Sequence, residues 1–174
     1  MCKGFFFKGA PTVVAFVLFP QRSVQMEKDG VSPLPLEFLV DTGADKTMIS
    51  GADVGKLGIN YRPADGTLVP FLEDQPLEKG QNMGGVGGGI KTYVVPNVKL
   101  YFISDLGDRR EIHEENLDQL YVPEGKVKDI PNLLGRDMLT RFGIVWKSQE
   151  HSIELSRSLE FGSYRVNILP ISEV

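Results

Sequence analysis

The stretch 36-LEFLVDTGAD-45 decides how this chain is read. Its first half, Leu36 to Val40, is a short apolar run that reads as a strand. The run delivers Asp41 to a strand end, where Gly43 permits a tight turn that a side chain would obstruct. A carboxylate presented there can bind a water molecule. The triplet Asp41-Thr42-Gly43 alone is also what a plain Asx turn at a strand end looks like, so its company has to decide.

The first companion is the glycine run 84-GGVGGG-89. A phosphate-binding loop needs lysine directly after the final glycine, but Ile90 stands there and Lys91-Thr92 is displaced by one. The G-x-G-x-x-G pattern fails too, because Gly85 and Gly87 are followed by Ile90. Both motifs also need a helix to aim its N-terminus at phosphate, whereas 90-IKTYVV-95 reads as strand. Nucleotide binding is therefore disfavoured. A glycine-rich tip between strands is either a flexible surface loop or a hairpin that closes over an extended peptide. The second companion is 133-LLGRDMLT-140, where a strand-like pair of leucines meets glycine and a short helical pattern.

The rest of the chain sets the frame. Its 174 residues fit one domain, taken as 1–174, with room for a single substantial core. A hydrophobic content of 41% and a charged content of 24% are ordinary for a soluble globular protein. The net charge of −4 gives no basic footprint, so no nucleic-acid partner is expected. No apolar stretch reaches the length of a membrane-spanning helix, and no membrane partner is expected. The single cysteine, Cys2, cannot form an internal disulfide, which fits a reducing, cytoplasmic compartment. Lys3 and 10-APTVVAFVLF-19 could mimic a signal peptide, but the β-branched and aromatic residues bounded by Pro11 and Pro20 favour a strand.

Apolar runs at 11–19, 36–40, 67–71, 90–95, 98–103, 117–122 and 144–155 alternate with turn signals, which predicts a mostly β domain. The polar stretch 108-DRREIHEEN-116 reads as a solvated loop or edge. Ser50, with Asp53 three residues on, predicts a helix start running to near Gly58. A second helix is expected from about Arg136 to Phe142, stopping at Gly143, with Met138, Leu139 and Phe142 on one face. His113 and His151 share no ligand spacing with each other or with Cys2, so both are expected on the surface and neither metal nor cofactor is expected. Cys2 is expected at a frayed terminus with no catalytic part. No serine has the surroundings of a nucleophile elbow.

One carboxylate cannot hydrolyse a peptide alone. One group must take the water's proton while another protonates the amide. Two aspartates sharing one proton do both, because like charges about 3 Å apart cannot both ionise comfortably. Such a pair titrates as a unit. Asp41 heads the one Asp-Thr/Ser-Gly in the sequence. The second aspartate must then come from an identical chain across a two-fold axis, so a homodimer is expected and a monomer should be inactive.

Taken in order, 41-DTGAD-45, 83-MGGVGGGIK-91 and 133-LLGRDMLT-140 resemble the catalytic loop, the flap, and the Leu-Leu-Gly strand with its following helix in retroviral-type aspartic proteases, the retropepsins. The resemblance covers about 34–143. It implies a mostly β, single-lobe acid protease fold: closed β-sheets, a flap hairpin and one or two short helices. Asp41 would be catalytic, Thr42 would tie the two catalytic loops together across the dimer, and Gly43 would help bind substrate backbone. Asp45 would pair with Arg136, and a planar guanidinium suits that task. Ala44, Gly84, Gly85, Val86, Leu133 and Leu134 would bind substrate, with Val86 at the flap tip and the two leucines packing behind the loop and lining an apolar pocket. The implied activity is that of a homodimeric aspartic endopeptidase on peptide or protein substrates; the alternative is the same fold kept as a silent peptide-binding or dimerisation module.

Departures from the family are as informative. There is an extra segment before Leu34 and a long insertion between Ser104 and Pro131. A C-terminal hairpin is expected at 144–156, where the viral enzymes end in one strand. Gly89 replaces a bulky flap residue, which predicts a looser flap.

Overall fold

A computed structural model describes residues 2–18, 35–54, 60–61, 68–69, 78–85, 88–105, 107, 109–124, 130–157 and 165–170. The strands in chain order are β1 (Cys2–Phe7), β2 (Ala10–Leu18), β3 (Pro35–Val40), β4 (Asn60–Tyr61), β5 (Leu68–Val69), β6 (Glu78–Lys79), β7 (Met83–Gly85) and β8 (Gly88–Ile90). They continue with β9 (Thr92–Asp105), β10 (Arg109–Pro123), β11 (Asn132–Leu134), β12 (Phe142–Lys147), β13 (Ser152–Arg157) and β14 (Arg165–Pro170). Two short α-helices, α1 (Gly51–Val54) and α2 (Arg136–Leu139), and a 3-10 turn at Ser148–Glu150 complete the elements among the described residues.

The main sheet runs β12-β13-β1-β2-β9-β10-β14, with β3 pairing both β2 and β11, and β6 pairing β9. β2 is its hinge. Ala10 to Thr12 pair with β1, Thr12 to Phe16 with β3, and Phe16 to Leu18 with β9. One face of β2 is buried at every second residue, Val13, Ala15 and Val17, each fully. Leu36 and Phe38 of β3, Val98, Leu100 and Phe102 of β9, and Leu120 and Val122 of β10 join them in one core. Met138 and Leu139 of α2 and Ile153 and Leu155 of β13 close it.

Several expectations change. Ile90 ends β8, while the rest of the run 90–95 from Thr92 and the run 98–103 form one strand, β9, which continues through Pro96 and Asn97 because asparagine tolerates the positive φ of 54° found there. The polar stretch 108–116 is not a loop. Most of it is the first half of β10, paired with β9 on one side and β14 on the other. The insertion between Ser104 and Pro131 is thus largely the second arm of a long hairpin. The helix expected over 136–142 ends at Leu139, and Phe142 instead opens β12, where its ring packs edge-on to Phe102 at 5.5 Å. The helix that Ser50 starts is α1; the Asp53 N–H donates to Ser50 Oγ at 3.1 Å, and 55–59 lie outside the described residues. The C-terminal hairpin is present as β12 and β13.

Two residues sit where the sequence did not put them. Cys2 is buried in β1, paired with Leu155, and burial pushes its thiol up to about 11. His113 is buried in β10, with Nε2 at 3.1 Å from Ser104 Oγ and 3.7 Å from Glu111 Oε2. Cys2, Phe102, Phe142, Leu155 and Arg157 lie around the same small void. His151, as expected, is exposed.

Burial pushes the His113 imidazole below its ordinary value, and the nearby Glu111 and Glu115 only partly oppose that. A depressed histidine gives stability that is whole above the unfolded value near 6.5 and is lost as pH falls through it toward the folded value. We therefore expect the melting temperature of the wild type to drop between pH 7.5 and pH 5 by more than that of His113→Gln, measured by calorimetry.

Candidate active site

Asp41 leaves the end of β3 half-exposed, and its turn is built from its own atoms. The Gly43 N–H donates to Asp41 Oδ1 at 2.9 Å and the Ala44 N–H to the Asp41 carbonyl at 3.2 Å. This is the Asx turn that the triplet predicts. A Cβ at Gly43 would lie 3.1 Å from Asp41 Oδ1 and crowd that hydrogen bond. Thr42 and Gly43 are exposed, and Ala44 is half-buried.

What holds the turn in place is the segment 132–137. β3 and β11 pair in parallel, Val40 beside Leu134, and the Asp41 N–H donates to the Leu134 carbonyl at 3.1 Å. Met48 and Leu133 exchange both backbone hydrogen bonds, at 2.9 and 2.8 Å. The Arg136 N–H donates to the Ala44 carbonyl at 2.8 Å. Thr47, fully buried, donates its hydroxyl to Asp137 Oδ1 at 2.7 Å, accepts from the Gly135 N–H at 3.1 Å, and gives its own N–H to Asp137 Oδ2 at 3.0 Å. Buried Asn132 accepts from the Ser50 N–H at 2.7 Å and donates to the Glu37 carbonyl and to Asp53 Oδ2. On the opposite flank the Tyr121 N–H donates to the Thr47 carbonyl and the Ile49 N–H to that of Tyr121.

Thr47, Tyr121, Asn132 and Asp137 were missed in the sequence reading. For Thr47, Asn132 and Asp137 the available signal was their placement, polar residues beside the two motifs where buried polar atoms need partners; Tyr121 acts through its backbone and leaves no such signal.

The remaining candidates divide by burial. Arg136 donates through Nη2 to Asp45 Oδ1, so these two residues are paired. Both side chains are exposed, at 56% and 73%, and an exposed pair contributes little to the stability of a single chain. Leu134 is fully buried in the main core and offers no surface within one chain, contrary to the expectation that it lines a pocket. Leu133 keeps some exposure and packs in a second cluster with Met48, Val94, Tyr121, Ile130 and Met83.

Met83 opens the glycine-rich hairpin. β7 and β8 pair antiparallel, Met83 to Ile90, Gly84 to Gly89 and Gly85 to Gly88. Val86, expected at the tip, lies outside the described residues, as does Gly87. A Cβ at Gly84 or Gly89 would meet nothing within 4 Å. The packing of one chain therefore does not demand glycine there. No group of three or more His, Cys, Asp or Glu suited to a metal occurs among the described residues. No helix there is long and apolar enough to cross a membrane.

The site thus joins a strand-end Asx turn to the strand Asn132–Leu134 in a mostly β lobe, and Met83 at the start of the glycine-rich hairpin packs on the cluster of Met48 and Leu133 beside it. Comparison with solved structures finds likenesses, among them the following two. A retropepsin-like aspartic protease from Rickettsia conorii matches with a TM-score of 0.48 and 18% identity, over 96% of this chain and 92% of that one. EIAV protease in complex with the inhibitor HBY-793 matches with a TM-score of 0.43 and 22% identity, over 75% of this chain and 86% of that one. No protein-family model matches the sequence, and no curated protein does.

Gly135 is the tightest point of the lock. A Cβ there would stand 2.4 Å from the Lys46 carbonyl carbon and 2.8 Å from its nitrogen, both backbone atoms. Gly135→Ala must push loop and strand apart, at a cost of about 1–3 kcal/mol. Chemical denaturation should show that loss, whereas Gly89→Ala, with open space around it, should leave the unfolding free energy within about 0.5 kcal/mol of the wild type.

Proposed function

We propose that the protein is an aspartic endopeptidase, active as a homodimer in which each subunit supplies one Asp41. The observation that carries this reading is the double stitching of the 41–50 loop to 132–137 and to Tyr121, which presents a half-exposed carboxylate on a rigid base. An Asx turn that merely ended a strand would not need it. Catalytic groups do, because an error of about 1 Å in placement can cost a hundredfold in rate.

In the proposed reaction the two Asp41 carboxyls share one proton and bind one water between them. The ionised carboxyl takes a proton from the water as its oxygen attacks the scissile carbonyl. The protonated one hydrogen-bonds the carbonyl oxygen as charge gathers there. Collapse of the tetrahedral intermediate passes a proton to the amide nitrogen, the C–N bond breaks, and the pair returns to its singly protonated state. The β7–β8 hairpin, with Gly84, Gly85 and Val86, covers an extended peptide. Ala44 and the exposed part of Leu133 contact it, so an apolar side chain is preferred beside the scissile bond.

The test uses a complex peptide mixture at pH 4, 5, 6, 7 and 9, with cleavage read by mass spectrometry. The wild type should cut best in mild acid, and Asp41→Asn should lose at least about a thousandfold in rate. A rate that stays flat from pH 4 to pH 9 would contradict the shared-proton mechanism. Matching silence from both proteins, with a dimer confirmed in solution, would identify a peptide-binding module of the same fold.

A further inference from the structure

A cavity of about 240 Å³ adjoins the 41–50 loop, and the reaction proposed above makes no use of it. Lys46 of that loop, Leu117, Asp118 and Gln119 of β10, Asp137 of α2 and Arg141 beyond it line the space. Most of their polar atoms are engaged. Thr47 occupies both carboxylate oxygens of Asp137. Arg141 Nη1 donates to Glu115 at 3.2 Å and to the Asn116 carbonyl at 2.6 Å. Gln119 Oε1 accepts from the Tyr121 hydroxyl at 3.0 Å.

Two charges are left over. The half-buried Lys46 holds its ammonium 5.8 Å from the centre of the Tyr121 ring, and no carboxylate of the described residues pairs with it. Asp118 is exposed and likewise has no partner among the described residues. An unpaired surface aspartate alone would need no explanation. Here, however, opposite unpaired charges line one cavity and stand too far apart to meet, so the space between them can be bridged.

The lining also says what would bridge it. Lys46 and Arg141 balance Asp118 and Asp137, so a ligand of net charge is repelled by one pair as the other attracts it. A molecule carrying both charges gains from both. The Lys46 ammonium, Nε and Nη2 of Arg141 and the Gln119 amide nitrogen remain as donors, which suits a carboxylate. The Asp118 carboxylate suits an ammonium group, and Leu117 adds an apolar contact. The volume lies below the roughly 300–1,000 Å³ of sites for drug-sized ligands, which limits the occupant to a small molecule.

We propose that this cavity binds an amino-acid zwitterion, its carboxylate on Lys46, Arg141 and Gln119 and its ammonium on Asp118. The inference goes beyond the protease reading and does not depend on it. The occupant would also brace the lattice under Asp41, because Lys46 belongs to the catalytic loop, Arg141 follows α2, and Asp118 and Gln119 belong to β10.

Titration of the full chain with L-valine, followed by amide chemical shifts in solution, tests the site. Saturable shifts at residues around Lys46 and Asp118 are expected, with a dissociation constant on the order of 1 mM. Isovalerate, which lacks the ammonium, and isobutylamine, which lacks the carboxylate, should each bind at least about tenfold more weakly. Lys46→Met and Asp118→Asn, with circular dichroism to confirm folding, should weaken valine binding by a similar factor, whereas Lys46→Arg should retain it. Valine should also raise the melting temperature of the wild type more than that of either weakened variant, since any general osmolyte effect acts on all three alike. No saturation by about 50 mM valine would overturn the proposal. So would a folded Lys46→Met or Asp118→Asn that binds valine as the wild type does, or either half-molecule binding as tightly as valine. Each of these results leaves the Asp41 chemistry untouched.

Discussion

The structure depends on one set of contacts, the hydrogen-bond lattice between the 41–50 loop and residues 132–137. A carboxylate on a tight turn is by default a mobile group, since Gly43 relaxes the backbone and Thr42 is exposed. Here the turn is flanked by the parallel β3–β11 pair, by the exchange between Met48 and Leu133, and by the fork of Asp137 onto Thr47. These bonds are largely buried and mutually supporting. Inside a protein that makes each of them stronger, and the loss of any member more costly, than on a surface. The fold explains why the lattice can form. β3 lies between β2, which pairs with it from Thr12 to Phe16, and β11, which pairs with it in parallel.

A second, electrostatic clamp fixes the C-terminal hairpin. Glu115 of β10 is 2% exposed and lies 2.6 Å from Arg157 Nε and 3.2 Å from Arg141 Nη1. Arg157 also donates to the Arg141 carbonyl at 3.1 Å, and Arg141 to the Asn116 carbonyl at 2.6 Å. Arg157 ends β13, and Arg141 stands between α2 and β12. One buried carboxylate therefore gathers the end of the sheet, the turn after α2 and the middle of the long hairpin. A buried ion group of this kind is weak evidence for stability, because desolvation offsets its attraction. Its effect is geometric: it ties the end of β13 and the turn after α2 to β10.

The sequence made the local features legible and left the non-local ones hidden. Strand β3, the Asx turn, the Ser50 cap, the hairpin pairing of the glycine run and the C-terminal hairpin all follow from neighbours within a few residues. The stretch 108–116 misled because its alternation is of charges, and charge normally means solvent. Glu115 is inside only because Arg141 and Arg157 arrive from later in the chain to meet it. Cys2 and His113 were hidden for the same reason: β1 pairs with β13, some 150 positions on, and β10 pairs with β14, some 50 positions on. Phe142 was read as helix because its spacing from Met138 and Leu139 is helical. The core accepts the same ring from the first position of a strand, and Gly143 follows at once. The lattice itself was only half visible. Leu133, Leu134 and Gly135 stand out in sequence, whereas Asn132 and Asp137 look like ordinary polar residues until their partners are known.

Burial sorts the candidate residues into two groups, and that sorting bears on how the site works. Leu134, Thr47, Asn132 and Gly135 are fully accounted for within one chain, by core packing or by saturated hydrogen bonds. Thr42, the Arg136–Asp45 pair and the glycines of the hairpin are not. They spend their specific chemistry on water. An ion pair that is more than half exposed is screened almost to nothing, while the same pair under a partner surface acts through a lower dielectric and gains several-fold in strength. Glycines with open space on every side have no purpose as packing but suit a strand that must let another backbone approach closely. Packing and hydrogen bonds within one chain therefore account for the first group and leave the second exposed.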